Sequence, residues 1–290
     1  MTAKLRKLLQ AGEEQDCEQA LRQVDPETVP YVLDESRAKY LEIVPLTPES
    51  RVLEIGASMG QHTRLIATRC RSLYALEVVE GQALFARLWC SQLGLSNVNV
   101  AVGGDDCRLP YLDRFFDTVI LNLVLEWCAN RASDDTAKVQ MQLLSECNRV
   151  LAADGCLFLA TKNRFSARLL TGGIDEHVNL RFGNALPRWM MNFSLRLKGQ
   201  KEELGLLHSY RAMKKMILKS GFKRVESYWA VPDCRYPIKY VRHDPRSIAA
   251  ARKEVELRHV NRLTRILLKY VPAYLIPRLA PSLVFLAYKG

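Results

Sequence analysis

Between residue 51 and about residue 161 the chain alternates short, β-branched apolar runs with helix-patterned stretches, and no other feature narrows the fold as much. The runs are 51–55 (RVLEI), 73–76 (LYAL), 98–102 (VNVAV), 118–121 (TVIL) and 156–160 (CLFLA). Between the last two, residues 137–151 place Val139, Leu143, Leu144, Cys147, Val150 and Leu151 on one helical face, and Asp154–Gly155 is expected to turn the chain into the next strand. This rhythm predicts an α/β fold, doubly wound, with a mostly parallel sheet covered by helices on both faces.

The flanks read differently. Residues 2–10 and 35–44 carry helical patterns punctuated by Pro26, Pro30, Pro45 and Pro48, so residues 1–48 are expected to form a helical N-terminal cap and residues 49–290 the main domain. After Thr161 comes a long segment rich in Arg, Gly and aromatics, giving an expected insertion at 166–207 before a helix at 209–219 closed by Gly221. Two more strands are expected at 224–230 and 283–288, separated by a second insertion at 232–281.

Charge divides the chain along the same line. Residues 1–160 hold 16 basic against 22 acidic side chains and residues 161–290 hold 26 against 9, so the net charge of +11 comes entirely from the second part. Such a surplus attracts polyanions, phosphorylated substrates or an anionic membrane face, although solubility alone also accounts for exposed charge. A hydrophobic fraction of 48% excludes collagen-like and disordered classes. The eight cysteines form no CxxC pair and the five histidines no HxxxH pair, so no metal site is expected. The opening MTAKLRKLLQ lacks the apolar core of a signal peptide, which points to a cytoplasmic protein with reduced thiols. Residues 257–278 mix apolar residues with Arg258, Arg262, Arg265, Lys269 and Arg278 and are broken by prolines. They are too interrupted to span a bilayer but suited to lie on its inner face, and core packing explains the same pattern.

The chemistry is concentrated where strands end. Glu54-Ile-Gly56-Ala57-Ser58-Met59-Gly60 follows the first strand and precedes a helical pattern at 61–69. Glycines there let the backbone turn tightly and approach a ligand, while the following helix offers unpaired N–H groups. A dinucleotide fingerprint needs GxGxxG; here the spacing is GxxxG, with an acid two places before the first glycine. That carboxylate repels a pyrophosphate and attracts a cationic amino acid group. Glu77, followed by Val78, ends the second strand, where a carboxylate accepts both hydroxyls of a ribose. Asp105 and Asp106 follow the third strand, in reach of an adenine edge, and Asn122-Leu123 follow the fourth. Taken singly, each piece is more often a turn or a helix cap than a ligand site. Together, along one sheet edge, they describe a ribosylated adenine bearing a cationic amino acid, and S-adenosylmethionine fits that description.

With these motifs the chain resembles the class I S-adenosylmethionine-dependent methyltransferases over nearly its whole length. VLEIGASMGQHTR is similar to their first motif, YALEVVE to the acidic second-strand motif, GGDDCRLPYLDRFFDTVILNLVLEW to the third and fourth strands, and LLSECNRVLAADGCLFLATKNR to the fifth-strand unit. Ser58 stands where many members have glycine. The resemblance implies a Rossmann-like methyltransferase fold with a seven-stranded sheet, its last strand inserted antiparallel beside 224–230. Most of the class joins those two strands by a short hairpin, so the basic insertions read here after the fifth and sixth strands are this chain's own, the second of them a departure from that pattern. NLVLEW, ATKNRF, Asp175-Glu176-His177 and VPDCRYP at 231–237 resemble a narrower bacterial subgroup associated with surface-polysaccharide biosynthesis.

For a hydroxyl acceptor, the base candidates are Glu126 beyond the fourth strand, and Glu176 and His177 beyond the fifth. His177 ranks first because an imidazole takes up a proton near neutral pH. The competing reading makes Asp175 a turn cap, Glu176 a solvated acid and His177 a backbone partner. Arg164, Arg168, Arg181 and Arg188 are placed to clamp phosphate or carboxylate, or to solubilise a loop. The expected reaction is O-methylation of an anionic glycan, nucleotide sugar or lipid-linked intermediate. An RNA methyltransferase and a non-catalytic cofactor-binding member of the fold are the alternatives. Against the former, the fourth strand ends Asn122-Leu123-Val124-Leu125 rather than in the Pro-Pro-aromatic signature of base amino-methylating enzymes.

Overall fold

A computed structural model of the chain describes residues 1–104, 108–128, 136–175, 179–199, 205–254 and 262–290. Its centre is one eight-stranded sheet. In chain order the strands are β1 (Arg51–Ile55), β2 (Ser72–Glu77), β3 (Val98–Val102), β4 (Phe116–Asn122), β5 (Leu151–Lys162), a separate two-residue pair β6 (Ile174–Asp175) and β7 (Leu180–Arg181), then β8 (Arg224–Val231), β9 (Lys239–Arg242) and β10 (Ser282–Tyr288). The spatial order is β3-β2-β1-β4-β5-β10-β8-β9. The first five pair in parallel, and β10 lies antiparallel between β5 and β8. The seven strands expected from sequence are all present, and the count is corrected to eight: Lys239–Arg242 adds an antiparallel edge to β8. Four residues (KYVR) with a charge at either end carry too little apolar signal to be read as a strand, and such charges are what an exposed edge needs.

Both sheet faces are buried, which is why β4 and β5 carry continuous apolar runs at 119–121 and 156–160. Alternate residues serve opposite cores. Leu53, Val119, Leu121, Leu157 and Leu159 pack with the helices Thr136–Val150 and Tyr210–Lys219, whereas Val52, Ile120, Phe158 and Ala160 pack with Tyr40, Leu41 and Ile66. Asp154–Gly155, expected as a turn before the strand, sits inside β5: Leu151 pairs with Phe116 and Cys156 with Thr118, so the intervening residues bulge out of register. The segment expected to be helical at 35–44 winds as a 3₁₀ helix over Glu35–Glu42. Ahead of it lie helices Ala3–Glu14, Cys17–Val24 and Val29–Val32, the first packing on helix Glu80–Gln92. All seven described cysteines are free thiols. Among the described residues no helix is long and apolar enough to cross a membrane.

From β1 the chain moves outward to β2 and β3 and then returns to place β4 on the other side of β1. The crevice at the C-terminal ends of β1 and β4 is therefore a topological switch point, where open α/β sheets bind ligands.

Candidate functional site

A cavity of about 630 Å³ opens at that crevice, a size suited to a nucleoside-like ligand. Its wall includes Glu54 and Gly56 from β1 and the turn after it, Glu77 and Val78 from the end of β2, and Asn122 and Leu123 from the end of β4. Ser58 also lines it. The sheet thus brings together seven of the positions singled out in the sequence, although they span about 70 residues of chain.

The turn after β1 is held from beneath. The N–H groups of Gly56 and Ala57 both donate to the Leu76 carbonyl, at 2.8 and 3.0 Å. Gly56 has φ +80°, and a Cβ there would come within 2.3 Å of Val124 Cγ2, so this glycine is required where the loops after β1 and β4 touch. Ser58 adopts φ +49°, a left-handed conformation unusual for a residue with a side chain. Its N–H donates to Glu77 Oε2 at 2.8 Å, and the Val79 N–H donates to Oε1 at 2.9 Å. Glu77 therefore fixes the glycine turn to β2, and each carboxylate oxygen keeps a second acceptor position for a ligand hydroxyl. Ala57 and Gly60 belong to the same turn but lie off the cavity wall.

Glu54 is held by chemistry of a different kind. It is buried, and Thr63 Oγ1 donates to its Oε2 at 2.6 Å. Burial pushes its carboxyl up to about 7, against the Thr63 hydrogen bond and with a smaller contribution from the Glu77 charge. Such an acid gains most from a cationic partner, which restores the charged form.

Among the polar cavity residues that escaped the sequence reading are Arg37, Gln61, His62 and Gln82. Gln61 and His62 directly follow the glycine turn, a signal that was available; Arg37 comes from the 3₁₀ helix Glu35–Glu42, and nothing in its local pattern distinguishes it from a surface cation. Gln61 Oε1, His62 Nδ1 and Asn122 Oδ1 are buried without protein partners. Unsatisfied buried polar atoms clustered on one wall are the mark of a site built for a polar ligand. Burial, reinforced by Arg37 and Arg64, pushes His62 down to about 3, so its imidazole is neutral at physiological pH. The Arg37 guanidinium donates to the Tyr31 and Arg235 carbonyls and stands 5.9 Å from the ring centroids of both Tyr31 and Tyr236.

Of the remaining sequence candidates, Asp105 and Asp106 fall outside the described residues, although Gly103 and Gly104 just before them line the cavity. Glu176 and His177 also lie outside the described residues. Glu126 is buried and off the cavity wall, with its Oε2 accepting from Thr161 Oγ1 at 2.7 Å, while its neighbour Trp127 lines the cavity. Arg164, one of the four arginines considered as an anion clamp, donates to the carbonyls of Asn184 and Leu186 and so supports the loop.

Comparison with known proteins agrees with this geometry. Residues 53–159, which run from β1 through most of β5, match the methyltransferase-domain family. A curated relative, the biotin biosynthesis bifunctional protein BioHC of Cellvibrio japonicus, is 30% identical over 125 residues, covering 43% of this chain and 22% of the relative. The chain spans only 22% and 26% of the lengths of the curated relatives it matches. Among solved structures, a methyltransferase in complex with the Haloferax volcanii activator Trm112 superposes over 97% of both chains with a TM-score of 0.52 at 13% identity. A SAM-dependent methyltransferase from Thermotoga maritima covers 94% of this chain and 97% of its own, with a TM-score of 0.51 at 14% identity. The central region thus matches a methyltransferase domain, and the chain shares the Rossmann-like fold of these solved structures.

Proposed function

We propose that the protein is an S-adenosylmethionine-dependent methyltransferase acting on an anionic acceptor. The observation that carries the cofactor is the pairing, in one cavity at the switch point, of a buried acid tuned to meet a cation with a second acid presented for hydroxyls. The residues present fit the group: Glu54 suits its ammonium, Glu77 its ribose hydroxyls, and Gln61, His62 and Asn122 leave polar atoms for the remainder. When bound, S-adenosylmethionine supplies a methyl group already activated by a sulfonium leaving group. The chain's own work is then to align the acceptor, exclude water and receive a proton. The segments over residues 1–48 act as a cap, with Arg37 set against the Tyr31 and Tyr236 rings at the cavity wall.

The basic second part of the chain supports an anionic acceptor, and a glycan, nucleotide sugar or lipid-linked intermediate fits that charge. The resemblance of NLVLEW and ATKNRF to enzymes of surface-polysaccharide biosynthesis favours the glycan within this class. For proton removal, His177 is the first candidate, with Glu176 and Glu126 as alternatives. The same excess charge keeps an RNA acceptor as the second reading.

Thermal stabilisation tests the cofactor: ligand at 100 times its Kd raises stability by about 2.7 kcal/mol. No stabilisation and no heat of binding with S-adenosylmethionine or its demethylated product would sink the proposal. For the base, His177→Ala is expected to abolish turnover with cofactor affinity kept within about threefold, a difference under ~0.7 kcal/mol. Labelled methyl donor with fractionated extracts then identifies the acceptor.

A further inference from the structure

The insertion after β5 contains a helix, Arg188–Leu197, that is apolar on two opposite sides. Met191 and Leu195, one turn apart, are buried with Leu180. Trp189, Phe193 and Leu197, at i, i+4 and i+8 on the other side, are 73%, 61% and 73% exposed. A surface helix normally buries its apolar side and turns polar residues to water, so a second apolar stripe left exposed is built to meet something. It does not stand alone. The helix packs on the turn Gly183–Ala185, that turn on the short helix Ala167–Leu170, and the latter on helix Arg262–Tyr270 of the second insertion. Leu170, Phe182, Ile266 and Tyr270 are exposed along this path.

The charges around this surface decide between occupants. Arg181, Arg196, Lys198, Arg262, Arg265 and Lys269 are all exposed on the same segments. Among the described residues of 163–199 and 262–290 there is a single carboxylate, Asp175. It is buried and accepts hydrogen bonds from the backbone N–H and side-chain amide of Asn184. An apolar stripe with Trp and Tyr, rimmed by cations and with no exposed acid among the described residues of these segments, matches the interfacial layer of an anionic bilayer.

We propose that the face formed by Arg188–Leu197 and Arg262–Tyr270 is a docking surface for anionic membranes, with Trp189, Phe193 and Leu197 entering the headgroup region. The membrane contact expected from residues 257–278 alone is thereby shifted in emphasis to the insertion after β5; residues 257–261 lie outside the described residues. This inference does not depend on methyl transfer.

The test is flotation of the full-length protein with vesicles of phosphatidylcholine and phosphatidylglycerol (70:30) or of phosphatidylcholine alone, with Trp fluorescence read in parallel. The wild-type protein is expected to float with the anionic vesicles, to lose that binding in high salt, and to show a blue shift that Trp189→Phe diminishes. Phe193→Glu and Leu197→Glu replace exposed side chains, so they should leave the melting temperature unchanged while lowering vesicle partitioning at least tenfold. The proposal is overturned if the wild-type protein stays unbound at low salt, or if it floats equally well after Phe193→Glu. It is also overturned if either glutamate variant converts a dimer to a monomer without any vesicle binding by the wild type, which would make the face a contact between copies, or if the wild type is retained on RNA and ignored by vesicles.

Discussion

The parallel-sheet core and the two insertions treat apolar residues in opposite ways. Among the described residues, five large hydrophobic side chains are exposed between residues 51 and 160, against fourteen between 161 and 290. The core spends its apolar residues on two buried sheet faces and keeps its polar ones for strand ends, whereas the insertions leave Trp189, Phe193, Tyr270 and Tyr274 on the surface beside cations. The acidic part of the chain thus houses the cavity with its two carboxylates, Glu54 and Glu77, and the basic part leaves apolar side chains exposed beside cations. The contrast is between a site that sequence spacing defines and surfaces that only three-dimensional neighbours define.

The sharpest way to break the comparison is at Gly56. Gly56→Ala puts a Cβ 2.3 Å from Val124 Cγ2 and holds alanine at φ +80°. Overpacking and backbone strain together are expected to cost about 3–5 kcal/mol and to eliminate cofactor binding, read by chemical denaturation and calorimetry. Phe193→Glu, on the insertion, is expected to leave the same denaturation curve unmoved. Equal losses in both variants would mean that the insertion is as integral to the core as the glycine turn.

Glu54 gives the next largest effect. Its carboxyl is raised from 4.5 to about 7 by burial, so between those pH values the unfolded chain releases a proton that the folded protein retains. Stability without cofactor is therefore complete below about pH 4.5, falls by about 3 kcal/mol as pH rises to 7, and is flat above. Glu54→Gln should abolish that slope. A cationic ligand reverses the preference, so cofactor binding near pH 7 should release a proton, seen as a buffer-dependent heat, and should tighten as pH rises. His62, pushed down to about 3, acts in the other direction: its contribution is present above the unfolded value of 6.5 and is lost as pH falls towards 3.

How much of this was legible follows from the same contrast. The β-branched runs, the glycine turn and the acids at strand ends were visible because a strand has period two and its end is a fixed place on the sheet. Strand β9 was not visible, because four residues flanked by charge have no period to detect. Arg37 was hidden for another reason: it reaches the cavity through a carbonyl of residue 235, nearly 200 positions away, and no local pattern reports that. The helix Arg188–Leu197 and its outer stripe lie inside the stretch read only as an insertion at 166–207, and Met191 and Leu195 give the helix a core-facing side as well, so its apolar residues mark no single face.

Glu77 should fall between the large and the small effects. Glu77→Gln keeps one acceptor oxygen but loses the charge and one of the two backbone donors' partners, Ser58 N–H or Val79 N–H. Leaving one half-buried N–H unmatched is expected to cost about 1 kcal/mol and to weaken cofactor binding, measured by denaturation and titration side by side.

The smallest effect is expected at Ser58, where the chain has a side chain at φ +49°. Ser58→Gly relieves left-handed strain of about 1 kcal/mol but gives the unfolded chain about as much extra conformational freedom, so net stability should move by less than ~1 kcal/mol. Because only the Ser58 N–H is used by Glu77, the variant retains that hydrogen bond, and cofactor affinity should hold. A large loss of affinity would instead assign the Ser58 hydroxyl a direct role at the cavity wall, making the turn a recognition element in its side chains as well as in its backbone.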